Sequence, residues 1–516
     1  MRDLVIVEAA GKVDLLRSSL KSIGLLVDVI ATVGHVADNP RSLNPICLDT
    51  NLRETAYTYR EDRLALLDKI QRAAFNADRI YIATDDDHEG DVIAHDVARY
   101  LSDYSDRLYR VRLRAITESE LKESFGGALS RDFEVPAWHG LCRRIVDRAI
   151  GGAFTQVDGP ATIPVGRVQS SLLASLKAEP PVIGQYHVPL KLSDGAVYWA
   201  SIPISTNDDL DRAMEIERLA ATAKVKLLDA VEVDVSSSRP WGYEDVVSEA
   251  AVRLRIGIGD AAEVFQEAYE RGLVSYPRVR AGAFTKDAVE VAAAIAAHNG
   301  CAFDAARLPL RDAADDARRA HECPRPMQDD LLLGRPMSVL DNPEALAVLV
   351  ARNLVECGQL VKRRRVRAVA DERILTFECD LTRVKRPWKH VERKAGFAPM
   401  SRSVALLRYM ANAELGKPST VVAHASRFLQ RGLLEERGIG FQLNQRGERW
   451  LAHAASCGFR ADTASRMERA FESPMSDPYE RVREVLRQHG LLDQIKRATA
   501  TAPTTVMLDD SVPEPF

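Results

Sequence analysis

The stretch ATDDDHEGD at residues 83–91 carries the densest set of chemically active side chains in the chain. Asp85, Asp87 and Glu89 alternate there and Gly90 follows, directly after the apolar run RIYIA. Carboxylates crowded in this way repel one another unless a positive charge lies among them. The pattern is therefore compatible with a solvated acidic turn, a calcium loop or a magnesium site.

The calcium loop D-x-[DN]-x-[DN]-G-x₅-E is nearly matched, with Asp96 at its last position. The fifth position is Glu89, however, the twelfth is Asp, and a strand precedes the segment where that loop requires a helix. Alternating carboxylates beside a sheet edge suit Mg²⁺, which takes one or two carboxylates together with water and phosphate. Glu8 ends the first predicted strand and should reach the same edge. The residues favour magnesium, and a solvated turn remains the alternative.

Strand and helix patterns alternate along the first 125 residues, which predicts a parallel α/β sheet. The predicted strands are 4–9, 27–34, 79–84 and 108–116. The predicted helices are 12–24, 64–77 and 91–101, and TESE at 117–120 is a capping box that opens the next one. Ligands of such folds bind at the carboxyl edge of the sheet, and the acidic stretch lies on a strand-to-helix turn at that edge.

The rest of the chain alternates between helical and strand patterns. Helical patterns cover 126–178, 243–300, 343–358 and 400–495, and strand patterns cover 184–235 and 361–382. A strand-rich region that appears on both sides of a helical block indicates an inserted domain. The last segment, ATAPTTVMLDDSVPEPF, is acidic and contains proline, and we expect it to be a disordered tail.

Composition limits the class of protein. The 516 residues suit several domains, and the net charge is −4. Residues 361–450 alone carry a net +11, so KRRRVR at 362–367 is either a solvated strand or edge, or part of a surface for a polyanion. The seven cysteines form no CxxC pair, which argues against a disulfide framework and a zinc ribbon and fits a reducing cytoplasm. We find no signal peptide and no apolar run of membrane-spanning length.

Eight segments in order resemble the signature segments of type IA DNA topoisomerases. LVIVEAAGK (4–12), ATVGHVADNP (31–40) and ATDDDHEGD resemble the three motifs of the Toprim domain, which other nucleic-acid enzymes share. The segments that make the resemblance specific are LCRRIVDRAIGG (141–152), VGRVQSSLL (165–173), FQEAYERGLVSYPRVR (265–280), AHECPRP (320–326) and ELGKPST (414–420).

The resemblance implies a multi-domain α/β plus α plus β fold. It has a Rossmann-like Toprim sheet, helical domains with winged-helix-like elements and a β-rich arch that closes a toroidal core. The expected domains are 1–125 (Toprim), 126–178 with 386–498 (helical, DNA-binding), 179–240 with 343–385 (arch), 241–342 (helical, with the tyrosine) and 499–516 (tail). A zinc-ribbon tail is not expected.

The resemblance also implies a mechanism. Tyr276 would be the nucleophile that forms a phosphotyrosine ester, and Arg278 would neutralise charge on the reacting phosphate. Glu8 would either protonate the departing 3′ oxygen or hold metal, and Lys12 would contact the scissile phosphate. The Mg²⁺ ligands would be Asp85, Asp87, Glu89 and Glu8.

Further residues would contact DNA or support the tyrosine. They are Arg143, Asp147, Arg167, Gln169, His321, Glu270, Gln266, Lys417, Ser419 and Thr420. From the pattern alone, Arg143 and Asp147 are an ordinary intrahelical pair and His321 is a structural histidine. GKPST is not a nucleotide-binding loop, because a proline separates Lys417 from Ser419 and the upstream glycine is missing.

The chain departs from the family at several positions. RTDS after the tyrosine is replaced by Arg278-Val279-Arg280-Ala281, where Arg280 adds a possible phosphate contact, and Asp86 and His88 stand where the family has Pro and Arg. We expect an ATP-independent, Mg²⁺-dependent enzyme that relaxes negatively supercoiled DNA and prefers underwound or single-stranded DNA as its substrate. We also expect it to be monomeric and cytoplasmic, with the nucleoid. The alternatives are a decatenase of the topoisomerase III kind and a catalytically weak DNA-binding factor on a mobile element.

Overall fold

The computed structural model describes residues 3–113, 116–127, 129–157, 162–222, 224–312, 321–389 and 393–501. The chain divides into two compact units. The first comprises Met1–Ser175, Glu270–Gly272 and Gln445–Phe516, and the second comprises Leu176–Tyr269 and Leu273–Asn444.

The amino-terminal region forms the predicted parallel sheet. Its strands are β1 (Asp3–Val7), β2 (Val27–Ala31), β5 (Ile80–Ile82) and β6 (Leu108–Arg110), in the order β2-β1-β5-β6, and β3 (Ala37–Asp38) pairs with β4 (Thr58–Tyr59) apart from it. The helices are α1 (Val13–Ser22), α2 (Leu64–Phe75), α3 (His88–Tyr100) and α4 (Glu118–Gly126).

Helices cover both faces of this sheet, and β1 shows why. Leu4 and Ile6 belong to the core that contains α2 and α3, whereas Val5 and Val7 belong to the core that contains α1. A parallel strand covered on both faces needs a continuous apolar run, and DLVIV supplies one. The polar residue that follows β1 is therefore held at the carboxyl edge of the sheet.

Two helices follow, α5 (Glu134–Phe154) and α6 (Arg167–Ala178). The apolar face of α5, including Ile145, Ala149 and Ile150, packs in one core with residues of the carboxyl-terminal helices. Those helices are α14 (Gln445–Ser456), α15 (Thr463–Glu472), α16 (Pro478–Gln488) and α17 (Leu492–Thr501). Because α17 continues to Thr501, the expected tail does not begin at residue 499, and residues 502–516 lie outside the described residues.

The strand-rich segments combine into one six-stranded sheet, β12-β7-β8-β11-β10-β9. Its strands are β7 (Gly184–Lys191), β8 (Val197–Ile204), β9 (Lys226–Ser236), β10 (Leu360–Ala370), β11 (Arg373–Asp380) and β12 (Gly396–Pro399). The expected domain limit at residue 385 was too early, since β12 pairs with β7. Helix α7 (Asn207–Ala221), which the strand pattern did not predict, packs Ala213, Ile216 and Ala220 on this sheet.

The segment between β9 and β10 is helical, as predicted. It contains α8 (Tyr243–Leu254), α9 (Ile258–Glu270), α10 (Asp287–His298) and α11 (Asn342–Cys357). After the sheet come α12 (Arg402–Asn412), α13 (Val421–Gln430) and the hairpin of β13 (Leu434–Arg437) and β14 (Gly440–Leu443). Two helices followed by a hairpin are the winged-helix-like element that the resemblance implies.

The basic run 362–367 lies on β10, which is an interior strand between β11 and β9. Of the alternatives for this run, the edge strand is therefore wrong, and the solvated strand and the polyanion surface remain. Each basic side chain of the run pairs with an acid: Lys362 with Glu232, Arg363 with Asp380 and Glu378, Arg364 with Asp194, Arg365 with Glu378 and Arg367 with Asp229. Cross-strand pairing thus offsets much of the positive charge that the sequence concentrates there.

Candidate active site: an acidic turn and a buried tyrosine

The acidic turn begins with a buried ion pair. Asp85 is 2% exposed and Lys12 is fully buried, and the Lys12 ammonium donates to the Asp85 carboxylate. Lys12 reaches this position because a short 3₁₀ turn, Ala10–Lys12, follows the end of β1. The pair lies at the edge of the sheet where Glu8 directly follows β1. Lys12, predicted to meet a DNA phosphate, is held by a carboxylate in this structure.

Asp87 starts the helix that carries the rest of the turn. Its backbone is extended and its side chain accepts a hydrogen bond of 2.7 Å from the Gly90 amide, so it is the N-cap of α3. The helix therefore begins at His88, three residues before the predicted start. Gly90 is required because a Cβ there would overlap the Asp85 carbonyl, and Thr84 donates to the Gly90 carbonyl at 2.6 Å.

Two acids of the stretch pair with arginines near the end of β6. Asp91 is buried and accepts hydrogen bonds from Arg110 at 2.9 Å and Arg112 at 3.2 Å. Asp86 lies 3.5 Å from Arg112. Burial lowers the pKa of Arg110, and the charge of Asp91 opposes that shift. Asp86, one of the departures from the family, thus belongs to the ion-paired group formed by Asp91, Arg110 and Arg112.

His88, the other departure, stacks on His139 with 4.9 Å between ring centroids. This stack joins the first turn of α3 to α5. Gly140 permits the close approach, because a Cβ there would come within 2.8 Å of the His88 carbonyl oxygen.

The predicted ligands suit a hard cation, since Asp85, Asp87, Glu89 and Glu8 all offer carboxylate oxygen. Within the described residues, however, no three His, Cys, Asp or Glu side chains are grouped closely enough to hold an ion. Lys12 holds Asp85, and Asp87 caps α3. The chemistry fits a divalent cation, and binding at Asp85 would compete with Lys12.

The second unit holds Tyr276, which is 3% exposed. Its ring meets Tyr269 edge-on, with 5.5 Å between centroids, and stacks on His321 at 5.2 Å. The sequence predicted that Tyr276 and His321 share a site, and the structure brings them together. Tyr269, one turn of α9 after Gln266, was not predicted.

Pairing with residues 321–327 fixes the segment before and around the tyrosine. Ser275 and Arg325 exchange two hydrogen bonds: the Ser275 amide donates to the Arg325 carbonyl at 2.9 Å, and the Arg325 amide donates to the Ser275 hydroxyl at 3.0 Å. Glu322 accepts from Arg325 and from the Thr285 amide and hydroxyl. The Cys323 thiol donates to the Ala281 carbonyl at 2.9 Å.

Arg143, Asp147 and Arg167 form a network in the first unit, with a fourth member that the sequence did not predict. Arg167, 4% exposed, donates to Asp147 at 2.9 Å and to Glu468 of α15 at 2.8 Å. Arg143 also donates to Glu468, at 3.2 Å from its Nε. Arg143 and Asp147 are therefore paired with residues of other helices. The nearby Gln169 is buried as well.

The remaining predicted residues lie on α9 and before α13. Glu270, four residues after Gln266, packs directly against Gly11. A Cβ on Gly11 would overlap the Glu270 carboxylate. Lys417, Ser419 and Thr420 form the turn that leads into α13. Its backbone closes through hydrogen bonds from Thr420 and Val421 to the Lys417 carbonyl at 2.9 and 2.8 Å.

Comparison with known proteins identifies the family. The family model for DNA topoisomerase matches residues 134–397, which is half of the chain, and the Toprim domain model matches residues 3–116. The chain belongs to the type IA DNA topoisomerase family. Both the acidic turn and Tyr276 lie inside matched segments.

Individual relatives are distant. DNA topoisomerase 1 of Aquifex aeolicus is 23% identical over 84% of this chain and 87% of its own length. DNA topoisomerase 1 of Campylobacter jejuni is 25% identical, and the chain spans only 50% of its length. Full-length topoisomerase I of Thermotoga maritima matches with a TM-score of 0.65 and 17% identity, over 97% of this chain and 90% of that one, which shows the fold.

Two further observations concern metal and membrane. Toprim domains bind a divalent metal, in agreement with the carboxylate chemistry of the turn. No helix among the described residues is both long enough and apolar enough to cross a membrane.

Proposed function

We propose that this chain relaxes negatively supercoiled DNA by breaking one strand, passing another through the break and resealing it without ATP. The observation that carries this is the setting of Tyr276, buried against Tyr269 and His321 on a segment fixed by pairing with residues 321–327. A rigidly held hydroxyl is what an in-line attack on phosphorus needs.

In the proposed reaction, the Tyr276 oxygen attacks the scissile phosphorus and the bond to the 3′ oxygen breaks. The proton lost by the tyrosine is matched by the proton that the 3′ oxygen gains, and Glu8 is the proposed donor to that oxygen. Arg278 would stabilise charge on the phosphate oxygens. Resealing is the reverse attack by the freed 3′ hydroxyl, so the bond energy is conserved.

The acidic turn would hold Mg²⁺ through Asp85, Asp87 and Glu89, and the ion would supply positive charge at the phosphates. Glu8 would be a further ligand only in the alternative in which it does not protonate the 3′ oxygen. Lys12 would meet the scissile phosphate once Asp85 binds the cation.

The remaining predicted residues keep their proposed roles. Those proposed to contact unpaired DNA or support the tyrosine are Arg143, Asp147, Arg167, Gln169, Gln266, Glu270, His321, Lys417, Ser419 and Thr420. We place the enzyme, as a monomer, with the nucleoid in the cytoplasm, where its substrate lies.

An end-labelled oligonucleotide tests the proposal. Single-stranded DNA labelled at its 3′ end should yield a labelled, denaturation-resistant protein adduct with Mg²⁺, because the 5′ phosphate of the downstream fragment is joined to the tyrosine. DNA labelled at its 5′ end should instead release a shorter free fragment. Tyr276→Phe should abolish both products, and Tyr269→Phe, the matched control in the adjoining ring, should keep them.

The outcomes separate the alternatives. An adduct that persists in Tyr276→Phe removes Tyr276 as the nucleophile. Binding without any adduct in the wild-type protein supports a DNA-binding factor. Unlinking of catenated circles in preference to relaxation supports the decatenase.

A further inference from the structure

The segment after Tyr276 turns sharply and then runs along the start of α8. The Val279 amide donates to the Pro277 carbonyl at 2.9 Å, which closes a three-residue turn with Arg278 at its apex. The Val279 carbonyl then accepts a hydrogen bond of 2.9 Å from the Tyr243 amide. The backbone on both sides of Arg278 is therefore held by hydrogen bonds, which fixes the direction of its Cα–Cβ bond.

Arg280 adds a side-chain link to the same helix. Its Nε donates to Glu244 Oε1 at 2.6 Å, and its Nη2 lies 2.5 Å from the same oxygen. The Glu244 side chain is 8% exposed and that of Arg280 is 30% exposed, so the pair is largely withdrawn from water. An ion pair in that position is sensitive to the loss of either partner, because the remaining charge is left poorly solvated.

The beginning of α8 is itself anchored. Asp245 accepts from the Gly242 amide at 3.1 Å and pairs with Arg239. Asn353 of α11 accepts from the Trp241 amide at 3.1 Å and donates to the Arg239 carbonyl at 2.9 Å.

An aromatic contact adds to that anchoring. The Tyr243 ring stacks on Phe265 of α9 at 5.8 Å. Burial raises the pKa of Tyr243 to about 12, and the charge of Arg278 opposes this rise. Helix α8 is therefore a fixed platform on which a link to Glu244 can hold another segment in place.

We propose that Glu244 is a positioning residue for strand cleavage, acting through Arg280 to hold the turn that presents Arg278 beside Tyr276. Arg280 is thus a structural partner of Glu244 and not a ligand of DNA phosphate. This inference rests on the proposed cleavage chemistry and adds to it two residues, Glu244 and Arg280, whose roles depend on each other.

A double-mutant cycle tests the dependence. Glu244→Gln and Arg280→Gln should each slow single-turnover adduct formation by about tenfold, and the double variant should also be slowed by about tenfold, because each single change already breaks the link. Affinity for the oligonucleotide, measured in a Tyr276→Phe background, should change by less than about twofold. Glu249→Gln is the matched control, since Glu249 lies on the same helix and pairs with Arg408 and Arg253.

Exchanging the charges at positions 244 and 280 is a second test. Arg280→Glu alone should slow cleavage more than Arg280→Gln, because it places two carboxylates together. Adding Glu244→Arg should recover part of the rate. A double variant no faster than Arg280→Glu alone overturns the proposal, and so does a hundredfold loss in the double glutamine variant.

Binding measurements exclude the competing explanation. If Arg280 met a phosphate, Arg280→Gln would weaken oligonucleotide binding and reduce its logarithmic salt dependence by about 0.7. That result would overturn the proposal. A wild-type protein that forms no adduct would instead defeat the proposed function, while coupling between positions 244 and 280 would still appear in thermal unfolding.

Discussion

Lys12 is a fully buried ammonium whose partner is the Asp85 carboxylate. Breaking a buried pair by removing one charge costs about 3–5 kcal/mol, because the other charge is left uncompensated. Lys12→Met should therefore lower the free energy of unfolding by that amount in the absence of divalent cations. Millimolar Mg²⁺ should restore part of the loss, since the cation supplies the charge that Asp85 has lost.

Thermal unfolding with and without Mg²⁺ checks this. The Mg²⁺-induced rise in Tm should be larger for Lys12→Met than for the wild-type protein, and Lys12→Met with Asp85→Asn should lose it. Lys122→Met is the control, because Lys122 is exposed and pairs with Glu118 on its own helix. Equal Mg²⁺ responses in Lys12→Met and the wild-type protein would show that Lys12 does not compete with the cation.

For individual residues, the sequence predicted where a side chain lies on the sheet but not which other side chain it pairs with. Strand alternation placed Asp85 and Glu8 at one sheet edge, because the carboxyl ends of parallel strands meet there. It could not reveal that Asp85 pairs with Lys12, 73 residues away, or that Asp91 pairs with Arg110. Such partners depend on side-chain packing, which leaves no periodic signal.

Glu468 holds together three helices, because Arg143 of α5 and Arg167 of α6 both donate to its carboxylate on α15. Its side chain is 14% exposed. Glu468→Ala should lower the free energy of unfolding by about 3 kcal/mol, since two partly buried guanidinium groups lose their shared acceptor. Denaturant unfolding measures the change.

The matched control is Glu472→Ala, one turn further along α15 and exposed, which should change stability by less than about 0.5 kcal/mol. Oligonucleotide binding by the same variants tests the proposed roles of the arginines. Freed from Glu468, they should bind DNA more tightly and with a steeper salt dependence. Weaker binding would mean that the two arginines only hold the helices together.

Helices and strands with strong hydrophobic periodicity were predicted well. Elements that are very short, or that lie within a region of the other pattern, were missed. Helix α7 lay within a region judged strand-rich, although Thr206 and Asp209 form a capping box at its start. The short β12 has only four residues, too few for alternation to show. β10 was predicted as a strand, but its charged side chains left an edge position open, and the sequence did not show that acids on β9, β11 and the β7–β8 connection pair with them.

For the whole molecule, composition suggested a basic surface on an otherwise acidic chain. Ion pairs between the basic residues of β10 and nearby acids make that surface less positive than the sequence suggests. The resemblance correctly gave the family and the architecture, since its segments run through both matched family models. The pairing of α5 with α14–α17 could not be read from periodicity, because residues in contact, such as Arg143 and Glu468, are 325 positions apart.

Three histidines make stability depend on pH in the same direction. Burial lowers the pKa of His95, His187 and His489 below the ordinary value of 6.5. The neighbouring charge of Asp96 opposes the shift at His95, and Arg466 adds to the shift at His489. Each folded-state imidazole therefore stays neutral at a pH where the unfolded chain has already taken up a proton.

Because the unfolded state binds the extra protons, the free energy of unfolding should fall as pH drops below about 6.5 and level off below the lowered pKa values. The slope cannot exceed about 1.4 kcal/mol per pH unit for each histidine, and solvent exposure makes it smaller for His187 and His489. Urea unfolding between pH 7.5 and 5.5 measures it. His95→Gln should remove part of the slope and the triple glutamine variant most of it. A triple variant with the wild-type slope would assign the acid sensitivity to carboxylates, whose titration lies lower.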